Sequence, residues 1–471
     1  MVDADIHFGT DGWRGFIADD FTFSNLSRVS HAATAVFKSN STLGTIPRIF
    51  IGYDRRFLSP QFAAFVAKEF TGQGLEVTLS QTAITTPAVS YIVKHRHFDW
   101  GISITASHNP ALFNGFKVKD RHGRSAPPEI TTAIEKALPI SIPISSPQQD
   151  PENTLNIHSS YVSYLKSHFK VSKSSTLKKS IVLDHLYGVA SGIPEAVIGN
   201  FFKIASLHAE HDPLFGGLHP EPIANYVTAL QKTVRQTRAL VGFAYDGDAD
   251  RLGVVDDTGT YLTPHQVFPL ITLYGIEQRH WKGKIVQSVS MGVLGERIAK
   301  AFGMPYEDVP VGFKHIANRI LKEPVLAGGE ESGGYAFYGG LPERDGILNS
   351  LLFLEMLHVT QEKPSVLVKS MEKRFGKVCF HRVDVHLKKS IPNQRDFLQQ
   401  MQNQIPNHIC GKSIERVNTL DGLKIHFSNG SWLLLRPSGT EPLLRTYAES
   451  ESWKQTHSLL KWAEQWVEQF L

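Results

Sequence analysis

The chain of 471 residues reads as an α/β protein: three α/β domains that share one topology, plus a smaller C-terminal α+β domain, around one central cleft. Three observations predict this. Apolar strand candidates alternate with helical stretches in three successive repeats, each repeat closes on a strand that enters a loop rich in acids, hydroxyls and glycines, and the alternation stops near residue 370.

RIFIGYD (48–54), SIVLDHL (180–186) and KIVQSVS (284–290) open the three repeats as strands. SPQFAAFVAKEFTGQG follows the first as a helix with a serine cap and a glycine stop, and GVLGERIAKAFG follows the third, also ending on glycine. ASGIPEAVIGNFFK, in the second repeat, is interrupted by proline and glycine and makes a poorer helix. The closing strands run into DWGISITASHNP, ALVGFAYDGDADR and PVLAGGEESGG. Ligands of such sheets gather at the carboxyl ends of strands, so the three loops are expected to converge on the cleft. PISIPISSPQQDP (139–151) reads as a linker, and KVCFHRVDVHL, LKIHFSNGSWLLLRPSGTEPLLRTYAES and a final helix form the α+β part. The expected domains are 1–150, 151–258, 259–370 and 371–471.

Composition narrows the function classes. With 41% hydrophobic and 20% charged residues the chain is an ordinary globular protein, and a net charge of +4 without a long basic run argues against nucleic acid as a partner. An N-terminus of MVDADIHFGTDGWRG has no signal-peptide pattern, and no long apolar window exists, so a cytoplasmic protein without membrane attachment is expected. Cys379 and Cys410 are too few for a disulfide framework or a thiolate metal site, and both are expected to be buried apolar thiols.

In AYDGDADRLG, an extended backbone would project Asp246, Asp248 and Asp250 to one side, and three such charges would raise one another's pKa unless a cation sat among them. A hard divalent ion, Mg²⁺ first, fits that need; a solvated acidic turn is the alternative. An EF-hand is excluded because Arg251 stands where that loop needs glycine and Asp257 where it needs glutamate. A phosphatase of the haloacid dehalogenase type, with Asp246 as nucleophile, is disfavoured because Asp250 replaces the threonine or valine of D-x-D-x-[TV].

TASHNP (105–110) taken alone suits a side-chain-to-backbone turn as well as it suits a nucleophile at Ser107. G-x-S-x-G is absent, and His108 is too near in sequence to imply a Ser–His relay. Lys117, in NGFKVKD, is a base candidate if its pKa is lowered, an anion holder, or a solvated lysine. GGEESGG (328–334) is a glycine-rich turn or a reader of sugar hydroxyls through Glu330 and Ser332; RPSGTEP (436–442) is a hairpin turn or a phosphate cradle. The P-loop, H-E-x-x-H and G-x-G-x-x-G patterns are missing, which removes ATPase, zincin and Rossmann readings.

In this order, FGTDGWRG, TASHNP, DGDADR, GEESGG and RPSGTEP closely resemble the α-D-phosphohexomutases, the phosphoglucomutase and phosphomannomutase family, across residues 8–442. The resemblance implies a mutase of the isomerase class that passes a phosphoryl group from phosphorylated Ser107 to a hexose 1-phosphate. Glucose 1,6-bisphosphate is then the intermediate and activator, and the other phosphate returns to the serine. It implies Mg²⁺ on Asp246, Asp248 and Asp250 beside Ser107; Arg14, Lys117 and His108 around the transferring group, with Lys117 as the expected base; Arg251 beside the metal. It further implies Glu330, Ser332, Lys314 and His315 (the last two in VGFKHI) on the sugar, and Arg436, Ser438, Gly439 and Thr440 on the phosphate that does not react. Such a chain works on small sugar phosphates, as a monomer or dimer. Glucose is the expected hexose and mannose the second, because the glucosamine type usually has glycine in place of Ala249; a phosphoglucosamine mutase or a bisphosphate-forming phosphotransferase is the alternative. A catalytically silent sugar-phosphate binder is disfavoured by the presence of the serine, the three aspartates and Lys117.

Overall fold

A computed structural model describes residues 6–9, 11–41, 44–142, 153–171, 179–387, 391, 393–438 and 443–470. The chain forms two compact units, one of Met1–Thr263, Gly312–Lys322 and Ser332–Ser365, the other of Pro264–Val311, Glu323–Glu331 and Val366–Leu471.

The first unit holds two mixed sheets. In one, the parallel strands Trp100–Ile104, Arg48–Tyr53, Glu76–Ser80 and Asn153–Leu155 lie side by side, and Phe113–Asp120 and Gly12–Phe16 extend the sheet antiparallel beyond Trp100–Ile104. The strand Trp100–Ile104 is buried throughout, as a strand covered on both faces must be. Most of the expected linker, residues 143–151, lies outside the described residues, and the strand Asn153–Leu155 follows it on the edge of this sheet. In the second sheet Ser180–Asp184 pairs in parallel with Lys203–Leu207 and Val241–Tyr245, and Leu252–Val255 returns antiparallel.

In the second unit, Lys284–Ser288 pairs in parallel with Tyr306–Val309 and Val325–Gly329. The C-terminal part is an antiparallel sheet in the order Cys379–His386, Leu443–Ser450, Trp432–Pro437, Leu423–Phe427, Lys412–Asn418, His408–Ile409. Phe397 and Met401 from one helix and Leu459, Leu460 and Ala463 from the final helix Trp453–Val467 fill its core. The α+β reading of this region follows from that arrangement. Among the described residues no helix is long and apolar enough to cross a membrane.

Two local expectations are corrected. The helix Ser59–Gly72 has no serine cap: Leu58 holds the cap position in the left-handed region without a side-chain bond, and the Ser59 hydroxyl instead donates to Asp54 Oδ1 at 2.6 Å. Its glycine stop is present as Gly74 at φ +79°. Cys379 is buried as expected, but Cys410 is exposed, because it occupies the left-handed turn (φ +50°) between His408–Ile409 and Lys412–Asn418.

Candidate active site

The strand Trp100–Ile104 carries TASHNP at its carboxyl end. Ser107 is 1% exposed and sits at φ +54°, a conformation that costs an L side chain about 1–2 kcal/mol. Arg56 holds it there. Its guanidinium, also buried, donates to the carbonyls of Ser107 (2.7 Å), Asn109 (2.6 Å), Pro110 (2.8 Å) and Phe113 (3.1 Å), so the whole loop is threaded on one cation. Asp54 pairs with Arg56 Nε at 3.1 Å and accepts the hydroxyls of Ser59 and Thr105 at 2.6 Å each; Thr105 Oγ1 in turn accepts the Ser107 amide at 2.9 Å.

The three aspartates reach Ser107 by a different route from the extended strand expected of them. DGDADR is a tight turn between the antiparallel strands Val241–Tyr245 and Leu252–Val255, with Ala249 at φ +60° and its amide donating to the Asp246 carbonyl at 3.0 Å. Curling, not alternation, brings one ligand oxygen of each acid within 4.8 Å of the others. Gly247 lies against the serine loop, where an added Cβ would stand 2.5 Å from the Ser107 carbonyl; only glycine permits that approach. Ala249 is fully buried, so the alanine-for-glycine difference at this position reports on turn strain. It therefore gives little support to a preference for glucose.

Ser107 Oγ donates to Asp246 Oδ2 at 2.8 Å and lies 3.4 Å from His108 Nδ1. Asp248 Oδ2 accepts from Thr86 Oγ1 (2.6 Å) and from Lys117 Nζ (2.9 Å). Asp250 Oδ2 pairs with Arg344 Nη2 at 2.6 Å. Burial, then the Asp250 and Asp248 charges, push the Asp246 carboxyl well above its usual range. Burial acts the same way on Asp248, but Lys117 and Thr86 overcome it and hold that carboxyl low. Asp248 Oδ1 and both oxygens of Asp250 are buried and accept no hydrogen bond among the described residues, the Asp250 Oδ2 contact with Arg344 being an ion pair. Orphaned oxygens on a cluster of all-oxygen donors fit a hard divalent cation.

Lys117 is expected from the sequence to act as a base if its pKa is lowered, and two opposing effects act on it. Burial alone would lower its pKa, but Asp11 (2.8 Å), Asp248 and Asp250 raise it beyond an ordinary lysine. His108 is driven well below the usual histidine range, first by burial and then by Arg251, Arg14, Lys117 and Arg344. Arg14 Nη1 donates to Asn109 Oδ1 at 2.5 Å, and the Arg251 amide donates to Asp246 Oδ1 at 3.0 Å. Lys314, the second residue of the helix Phe313–Lys322, lines a small recess with Asp11, Gly12 and Ser125, and His315 follows it. Ser332 Oγ is buried without a hydrogen bond among the described residues, and Gly333 O accepts from the Leu252 amide next to the aspartate turn.

The remaining residues lie in the second unit. Glu330 is buried at the end of Val325–Gly329, and its neighbour Glu331 accepts the hydroxyls of Ser288 (3.1 Å) and Ser290 (2.5 Å). Arg436 Nε donates to Asp421 at 2.9 Å, and Ser438 is buried with its amide on the Leu443 carbonyl. Gly439 and Thr440 lie outside the described residues.

Four family models match in order: phosphoglucomutase/phosphomannomutase α/β/α domain I at residues 5–139, domain II at 159–259, domain III at 263–375 and the C-terminal domain at 368–461. A crystal structure from Thermus thermophilus, described as a "putative phosphomannomutase", superposes with a TM-score of 0.87 and 31% identity over 99% of this chain and 100% of that one. The chain belongs to the α-D-phosphohexomutase family. It is therefore a phosphohexomutase, an isomerase-class phosphotransferase acting on sugar phosphates. Among curated relatives, the phosphoglucosamine/phosphogalactosamine mutase of Sulfurisphaera tokodaii is 29% identical over 96% of this chain and 97% of its own. The phosphoglucosamine mutase of Thermoanaerobacter pseudethanolicus is 28% identical over 96% and 97%.

Several members of the phosphohexomutase site escape sequence reasoning. Arg56 leaves no local signal, since its partners are carbonyls of a loop about fifty residues away. Asp11 stands within FGTDGWRG, where its neighbours give it no part, although it binds both Lys117 and Arg344 (2.9 Å). Thr86 and Arg344 belong to no motif. Their company with Asp248 and Asp250 is invisible along the chain.

Proposed function

We propose that this phosphohexomutase interconverts the 1- and 6-phosphates of an amino hexose, glucosamine first, through a phosphoserine at Ser107. The observation that carries the phosphoserine is the meeting of a buried, conformationally strained Ser107 Oγ with Asp246 at 2.8 Å inside a cluster of acids and cations. The amino sugar rests on the curated relatives, which are named as phosphoglucosamine mutases. A second reading, glucose or mannose phosphate, is favoured by the phosphomannomutase description of the Thermus structure.

Ser107 and one oxygen each from Asp246, Asp248 and Asp250 are suited to hold Mg²⁺, which when bound supplies charge neutralisation next to the transferring phosphoryl group. In the forward half-reaction the Ser107 O–P bond breaks and an O–P bond to the sugar hydroxyl forms. The hydroxyl proton passes to a side chain at the site, for which the candidates are His108, 3.4 Å from Ser107 Oγ but pushed well below the usual histidine range, and Lys117, raised by the acids around it. Lys117 and Arg14 stand as the cations that meet developing charge on the phosphoryl oxygens. The hexose 1,6-bisphosphate then turns over and returns its other phosphate to Ser107. Glu330, Ser332, Lys314 and His315 are proposed for the sugar, and Arg436, Ser438, Gly439 and Thr440 for the phosphate that does not react.

Initial rates with glucosamine, galactosamine, glucose and mannose 1-phosphates test the reading. An amino sugar is expected to lead in kcat/KM by about tenfold or more. A lead for glucose or mannose would establish the second reading, and accumulation of bisphosphate as the main product would overturn both.

A further inference from the structure

Asp248 and Asp250 share one design. Each has one oxygen ion-paired to a buried cation, Oδ2 of Asp248 to Lys117 at 2.9 Å and Oδ2 of Asp250 to Arg344 at 2.6 Å, and each leaves Oδ1 buried without a hydrogen bond among the described residues; neither oxygen of Asp250 has a hydrogen bond among them, and its Oδ1 has only Arg251 Nε at 3.9 Å as a charged neighbour. The two cations are not independent. Asp11 Oδ2 lies 2.8 Å from Lys117 Nζ and 2.9 Å from Arg344 Nη2, and Asp11 Oδ1 accepts the Ser125 hydroxyl at 2.7 Å.

Arg344 is also placed from behind. Its guanidinium lies over the Phe313 ring at 5.6 Å, and Gly334 makes room for its stem, since a Cβ there would stand 2.2 Å from Arg344 Cδ. Its neighbour Glu343 is ion-paired with Lys119. A buried arginine fixed on an aromatic face, a glycine and a shared carboxylate has little freedom to follow its partner, so Asp250 must follow it.

We propose that Arg344, oriented by Asp11, is a positioning residue that turns the Asp250 carboxylate so that Oδ1 is presented to the divalent cation. It acts through Asp250 and not on the substrate. The proposal rests on the metal reading of the aspartate cluster.

Two physical effects oppose each other here, and their signs separate the proposal from a bare counter-ion role. A cation this close to a divalent ion repels it, so if Arg344 were only a counter-charge its removal would tighten metal binding. If Arg344 orients the ligand, its removal weakens binding, by about 10–100-fold for a lost supporting partner.

Free Mn²⁺ measured by electron paramagnetic resonance in titrations of the full chain reads this directly, without turnover. The proposal expects Arg344→Leu to weaken Mn²⁺ binding by about 10-fold or more, and Arg344→Lys to recover part of the loss. Asp11→Asn, which keeps the size of the side chain, is expected to weaken binding in the same direction and serves should the leucine variant not fold. Equal or tighter binding in Arg344→Leu, or in Asp11→Asn if that variant is the one available, overturns the positioning role. Absence of Mn²⁺ binding in the wild type, or binding that survives Asp248→Asn unchanged, overturns the metal reading itself and the proposal with it.

Discussion

Ser107 is held by its neighbours more than by its own torsional preference. A left-handed serine is about 1–2 kcal/mol uphill, and the guanidinium of Arg56 supplies four charge-assisted bonds to the loop that carries it. Arg56→Ala would leave those carbonyls and the buried Asp54 carboxylate without their cation. A loss of about 3–5 kcal/mol in unfolding free energy is expected, read as an earlier urea midpoint, with turnover falling as the loop relaxes. The same residue shows why part of the site is unreadable in the sequence. Hydroxyl, acid and glycine motifs announce themselves by spacing, whereas a lone arginine in GYDRRF has nothing in its local pattern to distinguish it from Arg55 beside it.

At the scale of elements, the strand-ending loops are legible because each follows an apolar run, and the runs at 100–104, 241–245 and 325–329 form strands as read. Geometry within a loop is not. Alternation in an extended strand and curling in a turn both bring positions two apart together, and the D-x-D-x-D pattern does not distinguish them. The turn hinges on Ala249 at φ +60°, whose carbonyl accepts the Gly346 amide at 3.0 Å. Ala249→Gly relieves left-handed strain and adds freedom to the unfolded chain, so a net change of about 0–1 kcal/mol towards stability is expected by thermal unfolding. Because this side chain is buried in the turn, the order of preference among hexose phosphates is expected to stay as in the wild type. A switch of preferred sugar in that variant would contradict this account of the turn.

For the whole molecule, the four family models run in order along the chain, matching the four-part organisation read from it. The sugar is not legible to the same degree, since residue type at loop positions identifies chemistry more readily than the substituent at one carbon of a ring. Prolonged chelation is expected to abolish turnover and Mg²⁺ to restore it. At about a hundred times its dissociation constant, a ligand that binds only the folded chain adds about 2.7 kcal/mol, which a thermal unfolding scan would register as a shift lost in Asp248→Asn.

Whether Ser107 carries the phosphoryl group is decided by phosphopeptide mapping of the purified protein after incubation with hexose 1,6-bisphosphate. One phosphate is expected, on the peptide containing Ser107, absent from Ser107→Ala along with at least about three orders of magnitude of mutase activity. Phosphate mapped to Asp246, or full mutase activity in Ser107→Ala, would contradict a carrier role for Ser107.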